Sequence, residues 1–73
     1  MADTMVESEI PGKVLRIEAP VGTQVEEDDP ILFVESMKME IPIGAPKAGT
    51  VKEILVAEGD TIEEGDEVAV IEG

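Results

Sequence analysis

Apolar and polar positions alternate only over short stretches of this chain, and each stretch soon meets a turn signal. Val6–Ile10 and Lys13–Glu18 mix β-branched and polar residues, Ile31–Val34 is apolar on both faces, and Glu40–Ile43 alternates around Pro42. Val51–Val56 and Val68–Ile71 close the second half, while Gln24-Val25 and Thr61-Ile62 read as very short strands. Between them stand Pro11-Gly12, Pro20-Val21-Gly22, Asp28-Asp29-Pro30, Gly44-Ala45-Pro46, Glu58-Gly59-Asp60 and Gly65-Asp66. Short strands at this spacing predict an all-β chain folded as a small sandwich or flattened barrel. Helix is disfavoured, because no segment free of Pro and Gly keeps a period near 3.6 for long. Ile31–Ile41 is the longest candidate, and its β-branched run favours strand.

A second pattern overlies the first. Aligning Gly12 with Gly49 pairs Pro11–Glu35 with Ala48–Glu72 without a gap. Gly12/Gly49, Val14/Val51, Ile17/Ile54, Gly22/Gly59, Glu26/Glu63, Glu27/Glu64, Asp29/Asp66 and Glu35/Glu72 are identical. Val25/Ile62, Ile31/Val68, Phe33/Val70 and Val34/Ile71 stay apolar. Two copies of one unit are expected to pack together and bury faces that neither could bury alone. The expected architecture is two four-stranded sheets with internal pseudo-twofold symmetry. Residues 1–73 would form one domain, with repeats 11–35 and 48–72 joined by a hairpin around Lys38. Gly12/Gly49 and Gly22/Gly59 are expected at turns with unusual backbone angles. Asp28 stands where the second copy has Gly65, a position that Asp tolerates if it is left-handed.

Composition narrows the chemistry. A chain of 73 residues supports one small core, here almost wholly aliphatic, with Phe33 the only aromatic residue. It has no Cys and no His, which removes thiolate, disulfide and imidazole chemistry. The formal charge is −13, and Lys13, Arg16, Lys38, Lys47 and Lys52 are the only basic residues. Such a surface repels nucleic acid and anionic lipid and suits docking onto basic partner surfaces. The N-terminus is polar and acidic, and no apolar run exceeds the four residues of Ile31–Val34, so no signal peptide or membrane span is expected and the default location is cytoplasmic. Glu26-Glu27 and Glu63-Glu64 recur on turns in both copies, as solvated residues do, and the acidic spacing fits no calcium loop. Neither a catalytic residue nor a metal site is expected.

Lys38 lies in the connection between the copies, flanked by Met37 and Met39. A lysine that works as a nucleophile needs desolvation or a neighbouring cation. Lys38 has instead Glu35 and Glu40 nearby, and a hairpin tip offers no apolar pocket. It is better placed as an exposed handle, whose acylation would remove one charge and leave a group on a long stem. The methionines read two ways: as core filling from adjacent strands, or as flexible apolar side chains that fit a partner's groove.

The stretch Glu35-Ser36-Met37-Lys38-Met39-Glu40 resembles the biotin-attachment motif of biotinyl domains, whose core is Met-Lys-Met. The resemblance extends over the duplicated halves, the Ala48-Gly49-Thr50-Val51 segment and the Glu58-Gly59-Asp60 and Glu64-Gly65-Asp66 turns. It implies a biotinyl/lipoyl-type barrel-sandwich fold, with biotin joined to Lys38 by a biotin protein ligase. It also implies that Met37 and Met39 serve ligase recognition and positioning, with Glu35, Ser36 and Glu40 flanking the hairpin. The implied role is a non-catalytic carrier moving a carboxyl group from biotin carboxylase to carboxyltransferase, with acetyl-CoA carboxylase the first expectation for the parent enzyme. Ser36 departs from the usual Ala, and Glu35-Ser36 also fits lipoyl domains, which lack the two methionines. Some acetyl-CoA carboxylase carriers insert a thumb after the second strand. Glu18–Gly22 pairs with Leu55–Gly59 without insertion, which makes this chain thumbless. A small separate subunit is expected. The alternatives are a lipoyl carrier and an unmodified acidic β interaction module.

Overall fold

β-branched residues and frequent turns leave no room for helix, and every regular element of the computed structural model, which describes residues 2–73, is a strand. In chain order these are β1 (Asp3–Glu7), β2 (Gly12–Ile17), β3 (Gln24–Val25), β4 (Pro30–Ser36), β5 (Met39–Gly44), β6 (Gly49–Ile54), β7 (Thr61–Ile62) and β8 (Glu67–Glu72). They form two antiparallel four-stranded sheets, ordered β1-β8-β6-β3 and β5-β4-β2-β7. The sheets do not close into a barrel; they stack as the flattened sandwich that the strand pattern predicts. Strand residues alternate between the faces. Val14, Leu32, Val34 and Ile43 point inward from one sheet, and Val6, Val51, Ala69 and Ile71 point inward from the other.

The strands obey the internal repeat, down to single hydrogen bonds. Asp29 Oδ2 accepts from Glu26 N–H at 2.9 Å, and Asp66 Oδ2 accepts from Glu63 N–H at 2.8 Å. Asp28 and Gly65 take the equivalent left-handed positions, φ 73° and 90°. Gly22 and Gly59 do likewise, φ 96° and 93°. The repeat also reaches further than identities reveal. Asp3 pairs with Glu72 and Val6 with Ala69, as Glu40 pairs with Glu35 and Ile43 with Leu32, which makes β1 the counterpart of β5.

Three expectations are corrected. The first strand is Asp3–Glu7 and not Val6–Ile10. Ser8 leaves the ladder with β8, exchanges backbone hydrogen bonds with Gly65 and Asp66, and donates its hydroxyl to the Ile10 carbonyl. The strand that begins near Val51 ends at Ile54, before Leu55-Val56. Gly12 and Gly49 are strand residues without positive φ. They are glycine because backbones approach closely: a Cβ on Gly49 would lie 2.6 Å from Glu72 O and 2.7 Å from Ile71 Cγ2, and one on Gly12 would collide with Glu35 and Val34.

Candidate site at the Lys38 hairpin

β4 and β5 pair antiparallel through Val34↔Ile41, Glu35↔Glu40 and Ser36↔Met39. Only Met37 and Lys38 remain between the arms, so the connection is a two-residue turn. Both residues are left-handed, φ 53° and 64°. That combination matches the mirror-image turn whose twist fits the right-handed twist of paired strands, and which sequences normally build with Asn-Gly. A side-chain-bearing residue in that region costs on the order of 1 kcal/mol or more. The strain is held in place by the inward packing of Val34, with Ile41 paired opposite it, and by the close approach of Gly12 at the base of the hairpin.

Met37 is 92% exposed and Met39 60%, so neither fills the core. Lys38 is exposed at the apex, and among the described residues it takes part in no ion pair. Glu35 and Glu40, which are also exposed, face each other across the arms. Ser36 is half-buried.

The outer face of this sheet carries one organised cluster. Arg16 on β2 pairs across from Phe33 on β4, and its guanidinium lies 4.1 Å from the ring centroid. Arg16 Nη1 donates to Glu40 Oε1 at 2.8 Å and Nε to Glu18 Oε1 at 2.9 Å. Glu40 first and Glu18 second hold the guanidinium pKa above its ordinary value. In the other half, Lys52 Nζ donates to Asp3 Oδ2 at 2.7 Å, and Asp3 raises the ammonium pKa.

Comparison with known proteins bears on this geometry. The family profile described as "Biotin-requiring enzyme" matches residues 2–71. A biotinylated protein TB7.3 homolog of Mycobacterium leprae is 44% identical over 66 residues, covering 90% of this chain and 93% of that protein. Pyruvate carboxylase of Staphylococcus aureus is 42% identical over 65 residues, 89% of this chain but only 6% of the enzyme. The crystal structure of Kluyveromyces lactis urea carboxylase superposes with a TM-score of 0.92 at 41% identity, over 97% of this chain and 6% of that one. The chain belongs to the biotin/lipoyl attachment family. Biotin is the cofactor.

In this biotinyl domain the hairpin presents the Lys38 amine exposed at its apex. A groove among the described residues runs between edge strands β1 and β5, over Ile10, Ile41 and Pro42, with Glu7, Glu9 and Glu64 on its walls. Met37, Lys38 and Met39 do not line it. An exposed primary amine beyond the last paired residues fits a covalently joined cofactor that extends away from the domain. Among the described residues no cluster of acidic side chains is placed to hold a metal ion. Sequence reasoning reached the hairpin but missed Arg16 and Phe33. The signal was faint: Arg16 is one of two basic residues on β2 and stands 24 positions in sequence from Glu40.

Proposed function

We propose that this biotinyl domain is a cytoplasmic carboxyl carrier. Biotin, joined to Lys38 by a biotin protein ligase, passes between a biotin carboxylase and a carboxyltransferase of an acyl-CoA carboxylase, with acetyl-CoA the acceptor to test first. The observation that carries the reading is a free amine at the apex of a strained two-residue turn, set between two exposed methionines. In the ligase step the unprotonated Lys38 Nζ attacks an activated biotin carboxyl. An amide bond forms as the bond to the activating group breaks, that group departs with its electron pair, and the nitrogen gives up a proton to leave a neutral amide. When bound, biotin supplies a ureido nitrogen that takes up and releases a carboxyl group.

The remaining work of the chain is positional. The lysine stem gives reach, and Met37 and Met39 adapt to a partner's groove. Tethering raises the cofactor's effective concentration at both sites. A carrier that must leave each site again suits weak, largely polar docking, to which an acidic surface contributes. The domain brings no catalytic group of its own. Pyruvate and urea carboxylases contain domains like this one, which supports assigning acceptor choice to the partner enzyme.

Intact mass of chain produced with a biotin ligase, followed by peptide mapping, tests the proposal. One biotinoyl addition on Lys38, absent in Lys38→Arg with the fold retained, is the expected result. A lipoyl addition would replace it with the lipoyl-carrier reading. A bare chain beside an active ligase would leave the interaction-module reading.

A further inference from the structure

The internal repeat contains its own control. Devices that serve the fold occur in both halves: the Asp29 and Asp66 turn carboxylates, the left-handed Asp28 and Gly65, and the closely approached Gly12 and Gly49. The Arg16 cluster does not recur. The counterparts of Arg16, Phe33 and Glu18 are Glu53, Val70 and Leu55. What the other half does have is a simpler strap, Lys52 to Asp3, and Asp3 is the counterpart of Glu40. One ion pair on an edge strand is therefore common to both halves. A planar fork laid on an aromatic face belongs only to the half that carries Lys38.

Glu40 is the residue next to Met39 and sits opposite Glu35, so like charges face each other across the hairpin arms. Among the described residues β5 is an edge strand. Arg16 spans from β2 over β4 to reach it. Phe33 on one side and two carboxylates on the others leave the guanidinium little freedom, unlike the swivelling point charge that a lysine would provide.

We infer that Arg16 is a positioning residue for the modification of Lys38: through Glu40 it fixes the β5 arm and hence the direction in which Met37, Lys38 and Met39 meet the acylating enzyme. This rests on the carrier reading above. The acylation chemistry belongs to the ligase, and the domain contributes shape. Loosening one arm lowers the fraction of molecules in the competent geometry and raises the apparent dissociation constant by the inverse of that fraction. Turnover of the bound complex is left nearly unchanged.

The test is steady-state biotinylation by purified ligase, at a temperature where circular dichroism shows every variant folded. Arg16→Met keeps the aliphatic stem over Phe33 and removes both ion pairs. Glu40→Gln loosens the same contact from the hairpin side. Lys52→Met removes the counterpart strap in the other half. Arg16→Met and Glu40→Gln are expected to raise KM for the domain roughly threefold or more with kcat within about twofold, as a reduced competent fraction dictates. Arg16→Lys is expected to recover part of the loss, and Lys52→Met to match wild type. A wild-type KM in Arg16→Met, a loss confined to kcat, or an equal rise in Lys52→Met would each overturn the inference, the last by showing that general stability is responsible. Failure of the wild-type chain to accept biotin would overturn the carrier reading itself, and the inference with it, before any variant is compared.

Discussion

At the scale of single residues, Met37 and Lys38 go against their local preference. Both hold left-handed angles that Asn and Gly adopt at little cost. Replacing them with residues suited to the turn, Met37→Asn together with Lys38→Gly, is expected to stabilise the fold by about 1 kcal/mol. Denaturant unfolding would show it as a raised midpoint at unchanged slope, and a lowered midpoint would contradict the strain. The same double substitution deletes the amine, so stability and modification are expected to move in opposite directions. That opposition is the usual mark of a functional position.

At the scale of elements, the repeat makes paired predictions possible. Gly12→Ala and Gly49→Ala each force a Cβ into a neighbouring strand's backbone. Each is expected to cost about 2 kcal/mol, as overpacked sites do, and to lower the thermal midpoint by roughly 10 °C. Only Gly12→Ala disturbs Val34 and Glu35 at the base of the lysine hairpin, so only it is expected also to slow biotin incorporation measured by mass. Similar modification rates in the two variants would break this link. These glycines show how far the sequence could be read. Their recurrence located the repeat, but a glycine required by close approach looks the same on paper as one required by a turn. The kinship of β1 and β5 was hidden for another reason. Asp3/Glu40, Thr4/Ile41, Met5/Pro42 and Val6/Ile43 share no identity; their partner strands, β8 and β4, are equivalent in the repeat and they have one buried position in common, which only register reveals. The lysine hairpin was legible because its residues are adjacent in sequence. The Arg16 cluster was not, because it is assembled from three strands and the residue that follows β2.

At the scale of the whole molecule, a charge of −13 sits on a body whose longest dimension is 36 Å. In about 10 mM salt the screening length is about 30 Å, so carboxylates repel across nearly the entire domain; at about 0.15 M it falls to about 8 Å. The thermal midpoint is therefore expected to rise with sodium chloride over that range, although the three exposed ion pairs among the described residues weaken. A flat or falling curve in calorimetry would mean that those pairs outweigh the general repulsion. The pseudo-twofold axis has one more consequence. Gly73 N–H reaches the Ala2 carbonyl at 3.3 Å, and these two residues are the counterparts of Ser36 and Met39, the pair that closes the lysine turn. They already stand at the width of a two-residue connection. A circularised chain, with Met-Lys bridging Gly73 to Ala2, would be a two-headed carrier, loaded at both poles and visible as two additions in a single mass spectrum.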